Sequence, residues 1–301
     1  MPKRKVLIIG YGTIGKRYHK ILKKINVINK IYIFTSQKNI DKRISKFDEI
    51  KIINPDLIII SSTTNTHFRY LKKLNSLFIN KKILVEKPLF LKLKKIKHIK
   101  NYVFVGYNLR LHPVIKFVKN WLKNKKVLSS EIYCGSYLPN WRKRPYHKTS
   151  SYNKQLSGGI LYELSHEIDY ARFLFGNLKN INSKICKVSD LKIKHNDYCN
   201  VTFKTKKNSI ISINLNYYSL ISKRFIILDT KKESLYADLI SGAVRIKSNS
   251  LKDKNIKFNF NLEDTYKEQI LLLIKNKFKE LCSYFDGYET LKTIELIKNK
   301  S

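Results

Sequence analysis

Cysteine is scarce in this chain of 301 residues, and the four present, Cys134, Cys186, Cys199 and Cys282, lie far apart without a C-x-x-C pair. That spacing argues against a disulfide framework and against a structural zinc site, and no metal is expected. Long apolar runs are absent too. No stretch approaches the roughly eighteen apolar residues of a membrane span, so no membrane association is expected. Met1–Lys5 leads into only Val6–Ile9 before a glycine, too short for a signal peptide, which points to the cytoplasm. Acidic residues are few, 22 against 61 Lys and Arg, for a formal net charge of +39. Such a charge raises nucleic acid as a partner. The lysines, however, are spread over nearly every segment beside abundant Asn and Ile, and no RNA- or DNA-binding signature accompanies them. Specific nucleic-acid recognition is therefore not expected, while attraction of phosphorylated small molecules is.

What is present is a folded globular chain. Apolar residues make up 43% of it, enough to fill two cores, and the length exceeds what one core usually serves. There is no internal repeat and no low-complexity linker. A change from alternating strand and helix to runs of strand near 121–126 sets the expected domains at 1–120 and 121–301.

The first domain opens on a short apolar strand, Lys5–Ile9, that runs into Gly10-Tyr11-Gly12-Thr13-Ile14-Gly15 and then into a helical pattern over Arg17–Ile25. This is G-x-G-x-x-G between a strand and a helix. The first glycine permits the tight turn, the second lets a pyrophosphate approach the backbone, and the third lets helix and strand pack closely. Unpaired N–H groups at the helix start then face the phosphates. The second strand, Lys30–Thr35, ends in Phe34-Thr35-Ser36-Gln37-Lys38 without the Asp or Glu that holds the ribose 2′-hydroxyl of NAD. Hydroxyls on Thr35 and Ser36 with Lys38 or Arg43 suit a 2′-phosphate, so the cofactor expected is NADP or NAD, with a lean toward NADP.

Leu57–Ile60 reads as a strand buried on both faces of a parallel sheet. It opens into a polar loop holding Ser62, Thr63, Asn65 and His67, expected beside the cofactor; His67 reads equally as a helix-start residue. Ile83–Val85 ends in Glu86-Lys87-Pro88. An ammonium at the carboxyl end of a parallel strand stands where ligands bind, placed to act as an acid or to hold a substrate hydroxyl. Val103–Tyr107 is the next strand, followed by Asn108-Leu109-Arg110-Leu111-His112-Pro113.

Ser157–Gly176 has helical periodicity, with Ile160, Leu161, Leu164, Ile168, Ala171 and Phe175 forming a core stripe. Glu163, His166 and Tyr170 fall one turn apart on another face. A carboxylate three residues before a histidine can orient the ring for proton transfer; the same face also reads as a polar surface. Before it, Val127–Tyr137 reads as a strand leading into a loop in which Trp141 and Arg142 could cover a ring and grip an anion. After it, 181–188, 197–203, 209–218, 224–228, 234–238 and 243–246 read as successive strands whose free face suits a dimer. Helices over Asp264–Phe285 and Tyr288–Lys298 close the chain.

Taken together, GYGTIG, the STTNTH loop, VEKPL at Val85–Leu89, GYNLRLHP at Gly106–Pro113 and GGILYELSHEID at Gly158–Asp169 resemble the Gfo/Idh/MocA oxidoreductases. The resemblance implies an α/β chain: an N-terminal doubly wound Rossmann domain with a parallel sheet, then an α/β domain with an open, mostly antiparallel sheet. It implies a nicotinamide cofactor held by Gly10–Gly15, Thr35, Ser36, Ser62, Thr63, Asn65, His67, Glu86 and Lys87. It makes Lys87 the catalytic or substrate-holding lysine, often followed by a cis proline bond, with His166 and Glu163 matching the histidine and acidic residue of the second domain. Asn108, Trp141, Arg142 and Tyr170 are expected to bind substrate. Three departures stand out. Glu163 and His166 are three apart where the family often has an aspartate four before the histidine; a branch of cell-surface sugar pathways has a similar ELSHEIDY segment. The stretch Ile40–Pro55 is short for a full helix and strand, and the whole chain is compact for the family.

The function so implied is hydride transfer between NAD(P) and a secondary alcohol or ketone of a sugar or nucleotide sugar, by a homodimer or homotetramer. Two alternatives share the scaffold: a glycosidase or lyase that keeps its nicotinamide bound, and a non-catalytic nucleotide-sensing protein.

Overall fold

The computed structural model describes residues 3–143, 145–149, 152, 159–249 and 252–300. Its contacts divide the chain into two units, 1–108 with 263–288, and 109–262 with 289–301. The division departs from a single border near 121. Residues 109–120 join the second unit, and 263–288 return to the first because a strand and a helix there complete its sheet and core.

In the first unit, β1 (Arg4–Ile9), β4 (Leu57–Ile60) and β5 (Lys82–Val85) carry the aliphatic runs Val6–Ile9, Leu57–Ile60 and Ile83–Val85. Val6–Ile9, Ile58–Ile60 and Ile83–Val85 are wholly buried. A strand covered on both faces has no polar side to offer, and each such Ile or Leu contributes about 1.5–3 kcal/mol by burial. With β2 (Ile28–Phe34), β3 (Arg43–Ile44), β6 (Tyr102–Val105) and β15 (Cys282–Ser283) they form a seven-stranded sheet in the order β15-β6-β5-β4-β1-β2-β3. All its pairings are parallel except that of β15 with β6, where Cys282 faces Val105. The order reverses direction at β1, so the crevice at the carboxyl ends of β1 and β4 is where a doubly wound sheet takes its ligand. Helices α1 (Thr13–Leu22) and α3 (Thr64–Leu77) follow β1 and β4. Between β2 and β4 the chain keeps only the two-residue β3 and the five-residue α2 (Glu49–Ile53), the trimmed element that the shortness of Ile40–Pro55 foretells.

The second unit carries an eight-stranded sheet, order β14-β13-β12-β11-β7-β10-β9-β8. Its strands are β7 (Val127–Gly135), β8 (Leu178–Cys186), β9 (Tyr198–Thr205), β10 (Ile210–Asn216), β11 (Lys223–Thr230), β12 (Glu233–Asp238), β13 (Ala243–Ser248) and β14 (Lys254–Lys257). Only β10 with β7 is parallel. Alternation along β9, with Cys199, Val201 and Phe203 buried between half-exposed neighbours, leaves one sheet face apolar. Against the unit's core pack α4 (Pro113–Trp121), α5 (Ile160–Glu163) and α6 (Ser165–Phe175).

Two helices expected to be continuous are broken. The segment read as one helix over Ser157–Gly176 is α5 and α6, separated at Leu164 (φ −98°, ψ 35°), while 157–158 lie outside the described residues. The Ser165 hydroxyl donates to the Tyr162 carbonyl at 2.9 Å, a local side-chain bond that competes with the helical ladder. In the tail, α7 (Leu262–Ile274) ends before Asn276, whose φ is 56°, and β15 separates it from α8 (Tyr284–Asn299). Edge pairing with β6 wins over helical periodicity there. Strand β14 has no counterpart in the sequence reading. Among the described residues no helix is long and apolar enough to cross a membrane.

Candidate active site

The glycine turn after β1 is built as its spacing predicts. Gly10 has φ +92°, and a Cβ there would sit 2.5 Å from the Ser62 Cα. A Cβ on Gly15 would meet the Gly10 carbonyl oxygen at 2.2 Å, whereas one on Gly12 would meet nothing within 4 Å. The two outer glycines thus close the turn on itself, and the middle one faces open space. Gly12 is also the N-cap of α1, without a side-chain cap and with no acidic residue in the first turn. Among the described residues no side-chain cap answers the N–H groups at that helix start, so the turn fits a dinucleotide's pyrophosphate. Ser61 fastens the neighbouring loop to it through a hydroxyl bond to the Gly10 carbonyl, 2.9 Å.

At the end of β2 the Gln37 amide donates to the Tyr11 carbonyl at 3.0 Å, and Arg43 Nε donates to the Thr35 carbonyl at 3.1 Å. Ser36, Lys38 and Arg43 are exposed around them. Tyr11 is anchored through its hydroxyl, which lies in hydrogen-bond contact with His19 Nδ1. After β4, Ser62 Oγ and Thr66 Oγ1 pair at 2.7 Å, while Thr63, the N-cap of α3, and Asn65 in its first turn are exposed. Ile14, in the first turn of α1, is half-buried.

His67 and Glu86, expected at the cofactor, have their side chains committed inward instead. His67 is 1% exposed, with Nδ1 3.1 Å from the Pro88 carbonyl and Nε2 3.0 Å from that of Ser62. It braces the loop after β4 against the turn after β5, and burial holds its ring below the usual imidazole range despite those carbonyls. Glu86 is buried and accepts from the Tyr18 hydroxyl at 2.6 Å. Lys87 is half-buried at the carboxyl end of β5, and its bond to Pro88 is cis. Asn108, expected to touch substrate, is 2% exposed and donates through Nδ2 to Thr265 Oγ1 at 2.6 Å.

In the second unit, Glu163 ends α5 and His166 lies in the first turn of α6, both half-buried. The break at Leu164 interrupts the single helix on which their spacing placed them. Tyr170 is also corrected: it is wholly buried, with its hydroxyl pushed well above the usual tyrosine range by burial and then by the Glu167 carboxylate. A side chain so enclosed supports α6 and does not line an open pocket. Trp141 is half-buried, donates through Nε1 to Ser136 Oγ at 2.8 Å and meets the Tyr217 ring edge-on at 5.2 Å; Arg142 beside it is half-buried.

Several neighbours of these residues were not singled out by pattern. Tyr217 is wholly buried, and burial followed by the Glu163 carboxylate raises its hydroxyl well above the ordinary value. The His195 ring lies 3.4 Å from a Cβ built on Gly159 and 6.0 Å from the Tyr217 ring. Two ion pairs to buried carboxylates hold α6. Arg110 Nε and an Nη each donate to Asp169 at 2.8 Å, and Arg224 Nε lies 2.9 Å from the buried Glu167. The aromatic and hydroxyl partners carry no local motif, since each meets the site from a distant strand or loop.

Comparison with known proteins agrees with this architecture. Residues 4–104 match the oxidoreductase family with an NAD-binding Rossmann fold, Gfo/Idh/MocA, and 127–233 match the family's C-terminal domain. A search of curated protein sequences finds no significant match. Among solved structures, levoglucosan dehydrogenase in complex with NADH superposes with a TM-score of 0.85 at 14% identity, over 99% of this chain and 96% of that one. UDP-N-acetylglucosamine 3-dehydrogenase from Acidithiobacillus ferrooxidans gives 0.79 at 14% identity, over 100% and 98%. A putative NADPH-dependent oxidoreductase from Desulfitobacterium hafniense gives 0.82 at 14% identity, over 98% and 94%. At such identities the superpositions speak for the fold, and the matched profiles, which together span more than half of the residues, speak for descent: the chain belongs to the Gfo/Idh/MocA family of oxidoreductases.

Proposed function

We propose that this oxidoreductase interconverts a secondary alcohol and a ketone on a sugar or nucleotide sugar, with NADP or NAD as hydride partner, in cell-surface carbohydrate synthesis in the cytoplasm. The observation that carries the reading is the pairing, on one sheet edge, of a glycine turn open only at Gly12 with Lys87 at the end of β5. The nicotinamide, when bound, supplies hydride acceptance or donation. What remains for the chain is binding, orientation and proton movement.

Gly10–Gly15 receive the pyrophosphate at the start of α1. Ser62, Thr63 and Asn65 border the same crevice. Thr35 and Ser36, with Lys38 and Arg43 exposed nearby, favour a 2′-phosphate and hence NADP; one fold relative is described with NADH and another as NADPH-dependent. Lys87 holds the substrate hydroxyl and takes or returns its proton. His166 shares that work, Glu163 steadies the imidazole, and Trp141 and Arg142 shape the sugar subsite. The fold relatives named for levoglucosan and UDP-N-acetylglucosamine support a carbohydrate substrate. Leu128, Ile210 and Tyr236, exposed on the strands of the second unit's sheet, support a homodimer or homotetramer.

Lys87→Ala and His166→Ala are each expected to lower turnover by at least ~10² while leaving cofactor affinity nearly unchanged. The deciding assay incubates purified protein with NAD⁺ and NADP⁺ against hexose, amino-sugar and nucleotide-sugar alcohols and follows nicotinamide absorbance. Stoichiometric reduction supports the proposal. Turnover of a sugar without net change at that band would instead favour a glycosidase or lyase with bound nicotinamide. Cofactor binding without any turnover would favour a nucleotide sensor.

A further inference from the structure

The buried polar cluster behind Lys87 is set by residues that no local pattern joins. Tyr18, on the buried side of α1, is 0% exposed, and its hydroxyl faces two acceptors, Glu86 Oε1 at 2.6 Å and Gln269 Oε1 at 3.3 Å. One hydroxyl hydrogen serves both, and the shorter contact is to the carboxylate. Gln269 is itself oriented from α7, its Nε2 donating to the Val105 carbonyl at 3.4 Å. The other carboxylate oxygen of Glu86 accepts the Lys87 backbone N–H at 3.2 Å. Gly106 closes the remaining side, where a Cβ would lie 2.8 Å from Glu86 Oε1. Glu86 is thus clamped from three directions, and the residue joined to it by a peptide bond is Lys87.

We propose that Tyr18 is a positioning residue for Lys87, acting through Glu86: the hydroxyl fixes the carboxylate, and the carboxylate fixes the lysine. The groups facing Glu86 have opposed effects on its charge. Burial pushes the carboxyl above its usual range, while the Tyr18 bond, the Lys87 ammonium and Arg17 on α1 pull it back. Tyr18 is in turn kept a donor by burial and by the charge of Glu86, with Tyr266 of α7 adding to it. Glu86 therefore changes charge at higher pH than an exposed glutamate, and the Tyr18 bond is foremost among the groups that limit the rise.

The inference rests on reading Lys87 as the group that handles the substrate proton, yet its test needs neither substrate nor turnover. Full-length protein carrying ¹³Cε-labelled lysine is titrated by NMR, with the Lys87 signal assigned by its loss in Lys87→Ala. In the wild type this signal is expected to shift where Glu86 takes up its proton. Glu86→Gln should abolish that inflection. Tyr18→Phe should move it upward by about half a pH unit or more, since a hydrogen bond to the ionised form is lost. Gln269→Leu should move it downward, because the hydroxyl then serves the carboxylate alone. Adding Tyr18→Phe to Glu86→Gln should change nothing further. An inflection that survives Glu86→Gln, or that coincides in wild type and Tyr18→Phe, overturns the proposal. If Tyr18→Phe does not fold, the direction of the Gln269→Leu shift decides. Failure of the sugar assay leaves this titration intact, so the two readings fail separately.

Discussion

The glycine turn of the first unit and helix α6 of the second are held by different means. In the first, the restraints around the glycine turn are largely main-chain: glycines packed on carbonyls, and His67 set between the carbonyls of Ser62 and Pro88. In the second, α6 is fixed by charge, through Arg110 to Asp169 and Arg224 to Glu167. A main-chain site tolerates exchange of side chains but not added bulk. A charge-held site tolerates bulk but not loss of one partner, because the other is left buried and unpaired.

The contrast can be broken most forcefully at Arg110. Arg110→Met alone should lower unfolding free energy by about 3–5 kcal/mol in urea denaturation. Arg110→Met with Asp169→Leu should recover most of that loss, and an equal loss in both would refute the charge argument. Next in size is the first unit's own weak point. Gly15→Ala should cost about 2–4 kcal/mol or prevent folding, since its Cβ meets backbone that cannot yield. Gly12→Ala should leave thermal stability almost unchanged while weakening NADH binding, read by fluorescence, by about tenfold or more. Equal stability losses at the two glycines would remove the distinction between a closing glycine and a receiving one.

A smaller effect depends on pH and belongs to the second unit. His112 caps α4 by accepting from the Val114 N–H at 3.2 Å, and burial, then the charge of Arg224, lowers its pKa to about 4. A depressed imidazole contributes stability that is present above its unfolded value of about 6.5 and is lost as pH falls from there through about 4. The loss is at most about 3.5 kcal/mol at about 1.4 kcal/mol per pH unit. His112→Asn, which can still cap, should flatten this part of the stability profile, as measured by denaturation at successive pH values. Least of all, Ser165→Ala should change stability by under about 1 kcal/mol, the worth of its bond to the Tyr162 carbonyl. Its effect on turnover should be the larger one, since the break between Glu163 and His166 loses the bond that accompanies it.

The difference between the units also explains what could be read in advance. Strands such as Leu57–Ile60 announce themselves because a strand buried on both faces is apolar throughout, and Gly10–Gly15 because a tight turn and a helix start lie within six neighbouring positions. Glu86, His67, Asn108 and Tyr170 were legible as unusual residues but not as inward-facing ones. Their partners lie far off in the chain, as with Tyr18 and Glu86, 68 residues apart, and Tyr18 and Gln269, 251 apart. The continuous helix expected over Ser157–Gly176 failed for a local reason, the serine hydroxyl competing for a carbonyl, which apolar periodicity does not register.

The order of amino acids determined the parallel sheet, the glycine turn and the family, because each depends on residues close in sequence whose local conformational preferences agree. Tertiary structure alone decided which charged and hydroxylated side chains turn inward and whom they meet. Hydrogen bonds and ion pairs act over a few ångströms in space, and separation along the chain has no bearing on their strength once folding has brought the partners together.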